Sequence, residues 1–303
     1  MAKESGMTSM GALRRLRVLL GEKKAGHSGT LDPGATGVLP VCLGQATRLA
    51  EYYTRQPKSY RAEATFGLTT DTQDAEGTVL RRTAPDLRPE AVQEALFSFL
   101  GKIKQLPPMY SAVHHNGQRL YDLARRGVVA ERAERETEIL AIRWLDWTPA
   151  QYPRAVFTVT CSSGTYIRTL CHDLGERLGC GAHMSALCRT QAGPFQLEQS
   201  VSLAEIAARL AAGDRSFILP PGWGLPLPVL ELPPERAAAF RHGLLSALAR
   251  IGGAAAQPGL CAVYQAGTFL GIGRVEAEVL RPVKVLSAGA GADAGGGTMV
   301  QGG

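Results

Sequence analysis

Gly26-His27-Ser28-Gly29-Thr30-Leu31-Asp32-Pro33-Gly34-Ala35-Thr36-Gly37-Val38-Leu39-Pro40 is the stretch on which the reading of this chain turns. Its four glycines permit backbone conformations and close approaches that a side chain would block, and Pro33 steers Asp32 toward extended backbone. By local pattern alone, an Asp before Pro in a glycine-rich stretch is an Asx-turn or a helix cap, and that reading stays open. A phosphate-binding loop fits worse, because the Gly-Lys-Ser/Thr ending is absent.

Upstream, Thr8 and Ser9 are candidate N-caps for a helix whose apolar positions Met10, Leu13, Leu16 and Leu20 recur at three- and four-residue steps. Arg14 and Arg15 then project off that face. Downstream, Tyr60, Ala62, Ala64 and Phe66 alternate with Arg61, Glu63 and Thr65, the period of a half-buried strand with Tyr60 turned inward. As an inward strand residue, Tyr60 reads equally as core filling. A second alternation, Ala155, Phe157, Val159 and Cys161, runs through Ser162-Ser163-Gly164-Thr165 into helical spacing at Ile167, Leu170, Cys171, Leu174 and Leu178, ending at Gly179. Arg168 falls in the first helical turn, where the macrodipole disfavours a cation. It is therefore either a plain surface residue or one that faces an anion.

Six prolines between Pro220 and Pro234 forbid a packed helix and mark an interdomain linker at 220–228. Beyond it, Leu260–Ala266 and Phe269–Val275 flank Gly267 like a hairpin, with another short strand at Val283–Leu286, so a small β-domain is expected over 229–286. The Gly- and Ala-rich tail 287–303 has too little apolar surface to offset its ordering entropy and is expected to be disordered.

At 303 residues the chain has the length of two domains, the first expected over 1–219, and its composition, 45% hydrophobic and 20% charged, is that of a soluble globular protein. No apolar run reaches the length of a membrane span and no leader pattern opens the chain, so no membrane association and a cytoplasmic location are expected. Cys42, Cys161, Cys171, Cys180, Cys188 and Cys261 are scattered without a C-x-x-C pair, which indicates neither a metal site nor a disulfide framework. The net charge of +6 is uneven: residues 1–60 carry nine Lys or Arg against four acids. A polyanionic partner at the glycine-rich end of the chain is the physical implication.

From Gly26 to Arg48 the chain closely resembles the signature of the bacterial tRNA pseudouridine-55 synthase family, the TruB type. The resemblance extends in order through Lys3, Gly6–Ser9, Lys58-Ser59-Tyr60-Arg61, Thr70-Asp71-Thr72, Asp74-Ala75-Glu76-Gly77, Pro107-Pro108-Met109-Tyr110-Ser111-Ala112, Cys161-Ser162 to Arg168, and Asp173 to His183. It implies an α/β (α+β) catalytic domain on a mixed, largely antiparallel sheet, followed by a small C-terminal PUA-like β-barrel. It also implies that Asp32 is the single essential carboxylate. Uridine becomes pseudouridine when the ribose–nitrogen bond breaks, the uracil rotates and ribose joins a ring carbon, with no net redox change. No cofactor is required, and an ionised Asp can serve as nucleophile or as base.

The same resemblance assigns Arg168 as the ion-pair partner of Asp32, expected to lower its pKa by roughly 1 to 3 and keep it ionised. Tyr60 is matched to the residue that stacks on the flipped uracil and passes a proton. His27 is matched to a histidine at the opened RNA loop, although a His among glycines also serves as a structural hydrogen-bonder. Lys3 is expected to be structural. Arg119, Arg125, Arg126, Arg132 and Arg135 resemble an RNA-gripping insertion, while Asp122, Glu131 and Glu134 among them also permit a merely solvated helix face. The implied substrate is the T arm of tRNA, bound by a monomer without a guide RNA. One departure stands out: an apolar strand leading into a Lys-Pro pair is usual, yet Met1 lies two residues before Lys3 and Glu4 takes the place of Pro. An edge strand is therefore expected to be missing.

Three other readings compete. A tRNA-folding chaperone with dispensable isomerase activity would share the binding surface but not need Asp32. A glycosidase would need two carboxylates about one bond, and no second acid sits in a comparable block. A guide-dependent relative is disfavoured by the lack of long Lys-rich tails.

Overall fold

The Thr8 side chain accepts a hydrogen bond from the Gly11 amide and so opens the helix Ser9–Leu20, which Gly21 closes in the left-handed region at φ 65°. The structure, a computed structural model, describes residues 1–111, 114–115, 117–128, 130–251 and 257–286, and of 114, 115, 119, 121, 122 and 125 the backbone alone. The tail 287–303, expected to be disordered, lies outside the described residues. The helix is rotated slightly from its sequence reading: Ser9, Ala12, Leu13 and Leu16 are buried, whereas Met10 is 51% exposed. The reason is Ser9, whose hydroxyl donates to the Leu31 carbonyl at 2.9 Å and accepts from the Leu31 amide at 2.8 Å. With Ser9 tied into the interior, Met10 lies about 100° further round and faces out.

The main sheet runs in the order Ala2–Lys3, Thr36–Val38, Ala182–Ala192, Lys58–Phe66, Arg154–Cys161, Arg135–Thr148, Gly101–Gln105, with Phe195–Gln196 paired to Ala182–Ala192. Every pairing is antiparallel except that of Thr36–Val38 with Ala182–Ala192, so the sheet is mixed and largely antiparallel as expected. In Lys58–Phe66 the alternation holds as far as Ala64, with Tyr60, Ala62 and Ala64 buried and Arg61 exposed; at the strand end Thr65, expected to face out, is buried along with Phe66. Their inward face meets Leu170, Cys171 and Leu174 of the helix Ile167–Arg177 and Val92 and Leu96 of the helix Pro89–Phe97 in one core.

The edge strand expected to be missing is present in short form. Ala2 and Lys3 pair with Val38 and Gly37, and the Met1 amine donates to the Leu39 carbonyl at 3.1 Å. Lys3, 2% exposed, nails this edge down: its Nζ donates to the carbonyls of Glu4, Met7 and Pro33.

The second sheet, in the order Val229–Glu231, Gly259–Gln265, Thr268–Glu276, Val279–Val285, Ser246–Ala247, curls into a half-barrel of PUA-like form. Phe240 of the helix Pro234–Arg241 plugs its core with Leu230, Val263, Leu270 and Leu280. A third cluster packs the second sheet against the segment 42–53: Cys42, Leu49 and Tyr53 meet Ala262, Phe269, Ile272 and Leu286, joined by Leu225 and Leu227 of the proline-rich stretch. Among the described residues no helix is long and apolar enough to cross a membrane.

Candidate active site

The Asp32 turn is held from both sides. Leu31 is locked to Ser9, the Ala35 amide donates to the Asp32 carbonyl at 3.1 Å, and the Pro33 carbonyl accepts from both the Lys3 ammonium and the Gly6 amide. Leu31 and Ala35 anchor the loop in the core, leaving the Asp32 side chain 34% exposed between them.

Arg168 reaches this carboxylate from the first turn of its helix. That turn is fixed by an amide clasp, in which the Tyr166 N–H donates to Gln105 Oε1 at 2.9 Å and Gln105 Nε2 donates to the Tyr166 carbonyl at 3.1 Å. The Arg168 side chain is only 6% exposed, and every edge of its guanidinium is engaged. Nε and Nη2 meet the two Asp32 oxygens at 3.1 and 3.4 Å, Nη2 also donates to the Tyr110 carbonyl at 2.6 Å, and Nη1 reaches the Thr72 carbonyl at 3.3 Å and Asp74 at 3.5 Å. This is the planar, bidentate geometry that an arginine offers a carboxylate and a lysine cannot. Asp74, 13% exposed, is itself held by the Thr72 hydroxyl at 2.6 Å and the Glu76 amide at 3.1 Å.

The ion pair does not have the expected net effect on Asp32. Burial pushes its carboxyl above the ordinary value; Arg168 pulls it down, Asp74 pushes it up, and Lys3 and Arg189 pull it down more weakly, leaving a net rise. The expected fall is therefore corrected, because desolvation of the charged form outweighs the attraction of a cation that is shared with Asp74.

Tyr60 is 8% exposed and close enough to sense Asp32. Burial raises its phenol, while the charge of the nearby Arg189 guanidinium pulls the other way. His27 lies half-buried on Ala25–His27, paired with Val41–Leu43, and burial followed by the charge of Arg189 depresses its pKa, so it is neutral at pH 7. Its Nδ1 has no hydrogen-bond partner among the described residues.

Asp32, Tyr60 and Arg168 thus converge, with His27 on the flank nearest Arg189. The basic insertion is a separate feature. Arg126 is exposed and donates to Gln118 Oε1, Arg132 is half-buried and donates to the Pro107 carbonyl at 2.9 Å, and Arg135 is exposed at a strand start. Arg119 and Arg125 fall in the hairpin and helix between them, with side chains outside the described residues. Two residues of the site were not singled out from sequence. Asp74 lies in a recognisable block, but nothing local says that it shares Arg168. Arg189 sits on a strand whose two bulges, between Met184 and Ala186 and between Arg189 and Gln191, break the period of two that would have shown its inward direction.

Three descriptions of known families match in succession: the TruB family pseudouridylate synthase N-terminal domain over residues 17–167, the tRNA pseudouridylate synthase B C-terminal domain over 168–221, and the pseudouridine synthase II TruB C-terminal segment over 228–286. The tRNA pseudouridine synthase B of Gloeobacter violaceus is 46% identical over 286 residues, spanning 94% of this chain and 96% of its own. That of Streptococcus thermophilus is 42% identical over 291 residues, spanning 94% and 97%. Among solved structures, a Cbf5-Nop10-Gar1 complex contains a chain that superposes with a TM-score of 0.72 at 27% identity, covering 94% of this chain and 83% of that one. An H/ACA RNP bound to a substrate RNA containing 2′-deoxyuridine gives 0.72 at 25% identity, covering 95% and 84%. With relatives matched along nearly their whole length, the chain belongs to the TruB family of pseudouridylate synthases.

Proposed function

We propose that this tRNA pseudouridine synthase isomerises uridine-55 of the T loop, with Asp32 as the reacting carboxylate, acting as a cytoplasmic monomer without cofactor or guide RNA. The observation that carries the reading is an asymmetry between two acids on one arginine: Asp32 is 34% exposed and Asp74 13%. The more open acid is the one a sugar can reach, and the deeper one orients the cation. In the reaction the bond from C1′ to N1 breaks, the bond from C1′ to C5 forms, the C5 proton is lost and N1 regains one. Atoms and electrons balance without a redox partner.

Asp32 serves as nucleophile at the sugar or as base beside it, and Arg168 orients it and offsets part of the desolvation that raises its carboxyl. Tyr60 supplies a ring for stacking and a hydroxyl for proton transfer. A stacked uridine cannot enter so recessed a site, so the base is extruded and the T arm is read by shape and phosphates. The exposed Arg14, Arg15 and Arg17, with His27 at the mouth and Arg119, Arg125, Arg126 and Arg132 on the insertion, are the candidate contacts. Residues 1–219 form the catalytic unit and 229–286 an RNA-binding one, joined by 220–228.

The test is to incubate the purified protein with an unmodified tRNA transcript and map pseudouridine at single-nucleotide resolution. One modified position in the T loop, formed without added RNA, is expected. Modification elsewhere, or none, overturns the reading.

A further inference from the structure

Arg189 is the largest fully buried side chain of the described fold, at 1% exposure, and among the described residues it has no carboxylate partner. A buried cation without an anion is costly unless its hydrogen bonds are all made and put to use. Arg189 spends them on one object. Nε donates to the Val38 carbonyl at 2.7 Å, Nη2 to Gly29 at 3.0 Å and Nη1 to Thr30 at 3.4 Å. Those carbonyls lie on both sides of Asp32, so the guanidinium clips together the two ends of the catalytic loop.

The backbone of Arg189 stands between the same two partners. It is in register with Gly37 on the parallel side and with Tyr60 on the antiparallel side. The contact with Gly37 is so close that a Cβ there would fall 2.2 Å from the Arg189 carbonyl oxygen, and Gly37 also holds φ at 106°. The Arg189 guanidinium also lies near enough to the Tyr60 phenol for its charge to pull the phenol pKa down against the effect of burial.

We propose that Arg189 is a positioning residue for pseudouridine formation, fixing the Asp32 loop and the Tyr60 hydroxyl relative to one another through a single buried guanidinium. This rests on the roles of Asp32 and Tyr60 proposed above. Arg189 touches no reacting atom. Its contribution is geometric, holding a loop carboxylate and a strand hydroxyl in one constellation, together with a local positive charge that favours proton release from the phenol.

The experiment is a double-mutant cycle on the full chain with tRNA as substrate, using Arg189→Lys, Tyr60→Phe and the pair. Arg189→Lys keeps the charge but cannot span the three carbonyls. With the melting temperature and tRNA Kd near wild type, kcat is expected to fall by about tenfold or more while KM stays within about twofold. In the Tyr60→Phe background the same substitution is expected to cost much less. Equal losses in both backgrounds, or unchanged kcat, overturn the inference. Should Arg189→Lys fail to fold, the wild-type protein decides by NMR: slowly exchanging Arg189 guanidinium protons with nuclear Overhauser contacts to the Tyr60 ring are required, and their absence is a refutation. The two levels separate cleanly. A wild type that forms no pseudouridine removes the proposed reaction and the inference with it, whereas an active wild type with additive variants removes the inference alone.

Discussion

Arg168 meets Asp32 with two nitrogens, at 3.1 and 3.4 Å, and reaches Asp74 with the third at 3.5 Å. One buried cation is thus divided between an acid that faces the site and an acid that lies behind it. The arrangement fixes the orientation of Asp32 without neutralising its burial cost.

Replacing Asp32 by Asn keeps the shape and the contact with Arg168 while removing the carboxylate proposed to act as nucleophile or base. Turnover is expected to fall by about 10²- to 10⁴-fold or more, with tRNA affinity nearly unchanged. Single-turnover pseudouridine formation and a filter-binding Kd measure the two quantities. Substantial residual isomerisation would remove Asp32 from the chemistry.

The raised Asp32 carboxyl sets a pH dependence with a definite sign. An acid whose folded pKa lies above its unfolded one favours folding below the unfolded pKa, and that contribution is lost as pH rises through the folded pKa. Ionisation of the group as pH rises therefore weakens the fold. Asp32→Asn should melt at or above the wild-type temperature at pH 7, with the gap closing as the solution is acidified. The kcat/KM profile should lose activity on its acid limb around a midpoint above the ordinary Asp value. A variant that melts clearly lower at pH 7 would show that attraction to Arg168 outweighs desolvation after all.

Asp74 is expected to matter without touching substrate. In Asp74→Ala the Nη1 edge of Arg168 loses its anion, and the Thr72 hydroxyl and Glu76 amide lose their acceptor. Hydrogen bonds to charged groups are worth about 1.5–3 kcal/mol, so kcat should drop by roughly 10- to 100-fold. Arg168→Lys should be at least as severe, because it also abandons the Tyr110 carbonyl and one oxygen of Asp32. Near-normal turnover in either variant would argue against a shared cation.

Much of this was legible in the sequence wherever a local rule and the tertiary context agree. Tyr60 to Ala64 alternates because one face of that strand meets the core, and Thr8 and Gly21 are capping residues in their usual places. Met10 misled because it fits the apolar period, while the rotation of its helix is set by a polar partner, Leu31, 22 residues away from Ser9. The direction of the Asp32 shift was hidden for a related reason: a motif names the charge partner but not the depth of burial. Arg189 was hidden most deeply. Its partners lie about 150 to 160 residues earlier, and two bulges erase the parity that would have pointed it inward.

Gly37 gives a purely structural test of that crowded strand junction. Alanine there must occupy φ 106° and place its Cβ 2.2 Å from the Arg189 carbonyl oxygen, with backbone on the other side unable to yield. Gly37→Ala should be destabilised by several kcal/mol, at the severe end for a single substitution, or fail to accumulate as folded protein. Thermal or urea unfolding measures it, and a loss under about 1 kcal/mol would mean that the two strands can part cheaply.

The last prediction concerns the proline-rich stretch and the half-barrel that follows it. A freely hinged binding module would leave the catalytic part intact when deleted and would raise KM alone. The packing argues otherwise: Phe269, Ile272 and Leu286 of the second unit share a core with Cys42, Leu49 and Tyr53 of the first. Arg48 also donates to the Val285 carbonyl, while the proline-rich stretch, which the shortened chain keeps, is fastened separately by the Tyr53 hydroxyl donating to the Trp223 carbonyl at 2.9 Å and by Trp223 lying against Phe195 at 5.4 Å between ring centroids. The ion pair of Lys284 with Glu51 at 3.0 Å adds little, being partly exposed. Each large apolar side chain re-exposed costs about 1.5–3 kcal/mol, and the Gly44–Thr54 segment that would lose its cover leads directly into the strand of Tyr60. A chain ending at residue 228 should therefore melt on the order of 10 °C lower than the full chain. Its kcat should fall along with its affinity for tRNA, and it should bind a hydrophobic dye that the full chain excludes. If the shortened chain instead keeps the parent melting temperature and kcat and shows only a raised KM, the bridging core contributes nothing to stability and the half-barrel is a separable RNA-binding module.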